Sequence, residues 1–111
     1  MQPKEFSTIA LALPHVTEKS HMGHPDFRVG GKIFATLWPV EKRAVVKLTP
    51  GDQALRLDME PDVFYPANGA WGKSGWTNIM LERAEESSVA SALQAAWLCV
   101  APQKLKRAFK F

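Results

Sequence analysis

The chain has 111 residues, 46% of them hydrophobic, enough for one domain whose core needs no metal or disulfide staples. Its single cysteine, Cys99, excludes an internal disulfide, and no apolar run approaches the length that spans a bilayer. Net charge is +3, but the last eight residues carry Lys104, Lys106, Arg107 and Lys110 with no acid; the rest holds 10 basic against 11 acidic residues, −1, which excludes a uniformly basic nucleic-acid coat.

Lys4 to Leu13 is predicted to be a helix, because Phe6, Ile9, Ala10 and Leu13 recur at helical spacing and Pro14 ends the run. The apolar part, Ile9 to Leu13, is too short for a signal peptide, so a soluble cytoplasmic protein is expected. Thr17 to Met22 is polar and weakly extended, an edge strand. Next comes the organising stretch, Gly23 to Leu37. It enters through Gly23-His24-Pro25 and reverses at Gly30-Gly31, a pair suited to a primed two-residue turn.

A turn there sets Val29 opposite Lys32, Arg28 opposite Ile33 and Phe27 opposite Phe34. One side of the hairpin then carries Phe27, Val29, Lys32, Phe34 and Thr36; the other carries Asp26, Arg28, Ile33, Ala35 and Leu37. The next strand, Arg43 to Leu48, chooses between them. With Pro39 to Lys42 as the loop, Leu37 faces Ala44, Ala35 faces Val46 and Ile33 faces Leu48. All six are apolar, so that side is expected to be core. Phe27, Phe34, Trp38, Arg43, Val45 and Lys47 are then expected on the opposite face.

Thr49 is placed to cap a helix that starts at Pro50 and runs to about Met59, stopped by Pro61. Asp62 to Gly75 reads as loop. Trp76 to Leu81 reads as a strand with Thr77, Ile79 and Leu81 on one side and Trp76, Asn78 and Met80 on the other. Ser87 or Ser88 can cap the longest helix, which runs to about Val100 with Val89, Leu93, Ala96, Trp97 and Val100 as its buried stripe. Pro102 interrupts it, and a short basic helix, Gln103 to Phe109, follows.

No catalytic constellation stands out, and a non-enzymatic protein without a cofactor is expected. Residues 67–74 match a relaxed phosphate-loop pattern, but a strand follows where that chemistry needs a helix. His15, His21 and His24 have no metal-site spacing; solvated or turn-stabilising roles suit them better. Cys99 sits among apolar helix residues and reads as a small buried hydrophobe.

The aromatic and basic sheet face is the strongest functional signal. Aromatics interleaved with cations can stack bases and hold phosphates. The candidate nucleic-acid-binding residues are Arg28, Lys32, Trp38, Arg43, Lys47, Lys73 and Trp76. The same face can instead be covered by the Asp62–Gly75 segment or form a homodimer or other protein interface. Lys104 to Arg107 reads as a solvated amphipathic end that can also reach phosphates.

These pieces resemble the MmcQ/YjbR family of small bacterial proteins, nearly end to end. The resemblance rests on Ala12-Leu13-Pro14 with Glu18; Gly23-His24-Pro25-Asp26-Phe27-Arg28-Val29; Gly31-Lys32-Ile33-Phe34-Ala35; Val46-Lys47-Leu48; Pro66-Ala67; and Gly75-Trp76-Thr77 leading to Leu81. Ala96-Trp97 fits as well, whereas Cys99 and the long basic end depart from the usual pattern. The resemblance implies an α+β, two-layer sandwich of the frataxin type: an antiparallel sheet with N- and C-terminal helices packed on one face and the other face open. It also implies DNA binding through β-hairpin wings, with Arg28, Lys32 and Lys47 inside the signature and Trp76 just after it. Frataxin-like iron binding is not expected, because the first helix carries only Glu5 where an acidic ridge is needed. The expected partners are therefore DNA or a second copy of the chain, and no membrane.

Overall fold

The computed structural model describes residues 1–21 and 23–111, with the backbone alone at His21. Met22, the last residue of the expected edge strand, lies outside them. The elements in order are α1 (Pro3–Leu11), β1 (Thr17–His21), β2 (His24–Val29), β3 (Lys32–Trp38), β4 (Arg43–Lys47), α2 (Pro50–Met59), β5 (Phe64–Pro66), α3 (Gly69–Lys73), β6 (Trp76–Met80), a 3-10 turn (Leu81–Arg83), α4 (Glu86–Val100) and α5 (Gln103–Ala108). The strands form one six-stranded sheet, ordered β1-β2-β3-β4-β6-β5, with every neighbouring pair antiparallel.

The terminal helices α1 and α4 cover one face of the sheet. Phe6 of α1 meets Phe27 of β2 edge to face, with ring centroids 5.9 Å apart. Val89, Leu93, Ala96 and Trp97 of α4 are fully buried against Ala35, Ala44 and Val46 in the same core. The Trp97 indole N–H donates to the Pro14 carbonyl at 2.9 Å, joining α4 to the end of α1. This is the expected two-layer α+β architecture. Helix α2 also starts where expected: Thr49 Oγ1 accepts from the Asp52 N–H at 3.1 Å, and Pro50 occupies the first turn.

The hairpin departs from expectation in one respect that changes its faces. Gly30 and Gly31 both take positive φ, 59° and 79°, the primed geometry. Val29 pairs with Lys32 and Arg28 with Ile33, as expected, but Phe27 pairs with Ala35. Phe34 is the extra residue of a β-bulge, and it reverses the phase of the alternation along the hairpin. Phe27 and Phe34, expected on the open face, are fully buried in the core, while Ile33, expected in the core, turns to the open face. The cause is a conflict in the sequence. Strict alternation can bury either Phe27, Val29 and Phe34 or Ala35 and Leu37; one extra residue lets both sets go inside.

Beyond the bulge the register is as expected: Ala35 faces Val46, Leu37 faces Ala44 and Trp38 faces Arg43. Ile33 and Leu48 do not pair, since the bulge has rotated Ile33 away. Two further expectations are corrected. The Asp62–Gly75 segment contains β5 and α3, because Phe64 reaches the core and Tyr65 and Pro66 pair with β6. Helix α4 begins two to three residues earlier than a Ser87 or Ser88 cap allows; Glu85 holds the cap position, and the Ser88 hydroxyl donates to the Glu60 carboxylate at 2.9 Å.

A tryptophan-walled candidate site on the open sheet face

The face away from the helices is not flat. Strand β6 and the segment leading into α3 rise beside β3 and β4 and leave a cleft of about 550 Å³. Such a volume lies in the range of small-molecule pockets. Its floor is Ile33, Thr36 and Val45; one wall is Trp38 and Arg43, and the other is Trp71 and Trp76 with Ala67 and Asn68. The bulge described above supplies Ile33 to that floor.

Trp38 is held on several sides. The His24 ring stacks on it at 3.7 Å with an interplanar angle of 26°, and the Arg43 guanidinium lies 5.0 Å from its centroid. Its indole N–H donates to Thr36 Oγ1 at 3.2 Å. Arg43 is anchored in turn, donating to Asn78 Oδ1 at 2.7 Å and to Glu41 Oε1 at 3.0 and 3.1 Å. The opposite wall depends on α3. Trp71 meets Trp76 edge to face, centroids 6.3 Å apart, and remains 66% exposed.

Two features of the backbone place α3. Gln53 of α2 is buried, and its amide nitrogen lies 3.0 to 3.1 Å from the Gly72 carbonyl, the Trp76 carbonyl and Thr77 Oγ1. Gly75, at φ +113°, brings the chain so close to β4 that a Cβ there would sit 1.9 Å from the Leu48 carbonyl oxygen.

Of the residues expected from sequence, Trp38, Arg43 and Trp76 come together in the cleft. Arg28 shares this face but does not line the cleft; it grips Asp26 with two bonds of 2.9 and 3.2 Å, and Asp26 is itself a buried lining residue. The hydrogen bond to Asp26 raises the Arg28 pKa above its ordinary value. Lys47 donates to the Leu48 and Ser74 carbonyls at 3.0 and 2.6 Å, bracing the turn before β6. Lys73 is exposed in the last turn of α3, the helix that carries Trp71, but is not among the lining residues. Lys32 is not on this face: the phase reversal sends it to the helix side of the hairpin tip.

His24, Asp26 and Trp71 belong to the site but are not among the residues expected from sequence. The stacking of His24 on Trp38 depends on the pairing of β2 with β3 and has no local signature. Trp71 does have one, a lone large aromatic in a stretch of glycines that offers it no core. Arg28, Arg43 and Lys47 thus spend their charge inside the protein, and what the cleft presents is mainly apolar ring surface. Among the described residues no group of three or more His, Cys, Asp and Glu side chains converges as a metal site, and no helix is long and apolar enough to cross a membrane.

Fold and site together define a two-layer α+β domain with helices on one side of an antiparallel sheet and an aromatic cleft on the other. Solved structures share that fold, among them two that match over nearly the whole chain. A Deinococcus radiodurans protein with the domain of unknown function 419 superposes with a TM-score of 0.76 at 17% identity, covering 98% of this chain and 82% of its own. A Pseudomonas syringae protein superposes with a TM-score of 0.71 at 18% identity, covering 90% of this chain and 99% of its own. No curated protein matches the chain significantly. The YjbR family model matches residues 11–99, and the chain belongs to that family.

Proposed function

We propose that the protein is a non-enzymatic DNA-binding protein whose cleft receives unpaired bases between its tryptophan walls. The observation that carries this is the meeting of Trp38, Trp71 and Trp76 in one cleft of about 550 Å³. Stacking on indole tolerates any base, because every base has a π-face. The family resemblance points to the same partner. The engaged state of Arg28, Arg43 and Lys47 favours stacking over charge as the source of affinity at this face, with Lys73 left for a phosphate beside the cleft.

The test is a titration of a short single-stranded oligonucleotide followed by tryptophan fluorescence. Quenching is expected, with a log–log salt slope no steeper than about −0.7 per phosphate held at the cleft. Trp71→Ala or Trp76→Ala should weaken binding by about 1–3 kcal/mol. An oligonucleotide that leaves the emission unchanged at all concentrations refutes the proposal.

A second reading is favoured by the exposure of Trp71 and of Val40 on the β3–β4 turn, 66% and 99%. Two copies pairing through this face would cover Trp71. Light scattering across a concentration series separates the two: a mass that doubles, and returns to that of the monomer in Trp71→Ala, identifies the homodimer.

A further inference from the structure

A cluster of cations that the protein does not use internally lies on the other side of the sheet. Lys104, Lys106 and Arg107 are on α5, Lys110 follows it, and residues 97–111 contain no acid. Among the described residues no ion pair reaches any of these four or Lys32; the pairs that form are Arg28–Asp26, Lys42–Glu82, Arg43–Glu41 and Arg56–Asp52. The body is otherwise close to neutral, so this end carries the protein's net positive charge.

The patch is built, not trailing. The hairpin tip and the start of α5 meet so tightly that a Cβ on Gly30 would lie 2.6 Å from the Pro102 ring. Lys32, turned to the helix side by the bulge, therefore extends from the same notch as α5. Leu105 and Phe109 pack the inner side of α5 against the core, and Phe109 meets Trp97 and His15 edge to face at 6.4 and 5.4 Å.

We propose that Lys32 at the hairpin tip together with Lys104, Lys106 and Arg107 of α5 forms a second binding surface, which holds the phosphate backbone of duplex DNA. Charge complementarity selects a polyanion, since several fixed cations without acid neighbours match a row of phosphates and release counterions when they meet it. The inner seal selects against a lipid surface, because a helix that lies in a membrane needs its apolar face free, and here Leu105 and Phe109 are committed to the core. The proposal rests on the DNA reading for the nature of the partner, but not on the cleft.

The experiment is fluorescence anisotropy of a labelled 20-base-pair duplex over a salt series, with the full chain. Wild type should show affinity that falls steeply with salt. Replacing Lys104, Lys106 and Arg107 together by Gln should weaken binding and make the log–log slope shallower by about 0.9 for each phosphate no longer neutralised, about 2.7 for three. Because Lys104 and Arg107 are exposed and Lys106 is only half-buried, the near-ultraviolet signal of Trp97 should not change, and Lys104→Arg with Lys106→Arg should bind like wild type. The cleft is read separately by quenching with single-stranded oligonucleotide, which the triple change should leave intact. An unchanged slope in the triple variant, or wild-type protein that binds phosphatidylserine vesicles and not the duplex, overturns the proposal. So does loss of all duplex binding in Trp71→Ala, an outcome that leaves the cleft reading standing. Failure of quenching with the slope behaving as stated refutes the cleft and leaves this surface.

Discussion

At the scale of single residues, Phe34 separates a stability role from a binding role most cleanly. By plain alternation it belongs to the open face, where truncation would affect a ligand and little else. In the structure it is fully buried, and Phe34→Ala should destabilise the protein by about 3–5 kcal/mol, measured by chemical unfolding. Gly75 is the corresponding test of the backbone. At φ +113° and with the Leu48 carbonyl in the way of a Cβ, Gly75→Ala should cost about 3 kcal/mol and move Trp76, so that stability and cleft fluorescence change together. Neither effect has a local signal. Phe34 looks like any outward aromatic until both apolar sets around it are weighed, and the glycine before Trp76 looks like any loop glycine until β4 is beside it.

At the scale of elements, the legible parts are those fixed by local chemistry. Helix α2 is one: Thr49 and Pro50 mark its start in the sequence, and the structure shows the cap bond that they imply. Thr49→Ala should therefore lower stability by about 1 kcal/mol with no change at the cleft, a result that thermal unfolding and tryptophan emission report separately. The turn at Gly30-Gly31 is another, and the register of β3 on β4 follows from matching apolar residues. The less legible parts are those where two elements compete for one solution. The bulge answers a conflict between two apolar sets, and nothing in either strand alone says that both will be buried. Helix α3 is short and glycine-rich, and it is held by Gln53, nineteen residues before the Gly72 carbonyl that it grips. Trp38, Arg43 and Trp76 are therefore legible in the sequence as members of the site, while Trp71 shows only as an aromatic without a core, and the α3 helix that sets it against Trp76 has no local signal.

At the scale of the whole molecule, charge and aromatic surface are divided between opposite sides of the sheet. The open face has rings, internally engaged cations and the exposed Lys73 of α3; the helix side has the cations of α5 and the hairpin tip. Substitutions on the two sides lie far apart, share no partners, and should combine additively, within about 0.5 kcal/mol in a double-mutant cycle on DNA affinity. A large coupling would mean that one ligand touches both sides at once.

The strand order also dictates a sequence of events in time. Strands β1 to β4 are neighbours in the chain and in the sheet, whereas β6 joins β4 only after residues 48–75 have been laid down as α2, β5 and α3. Closing that long segment costs chain entropy before any pairing repays it, so the β1–β4 meander should form in the folding transition state and β6 should dock afterwards. Phe34→Ala should then slow refolding, with a φ-value of about 0.5–0.8, whereas Ile79→Val should act on the unfolding rate, with a φ-value of about 0–0.3. Stopped-flow chevrons on the two variants decide the order. If they confirm it, the wall that carries Trp71 and Trp76 is the last part of the protein to be assembled, and the cleft does not exist until folding is nearly complete.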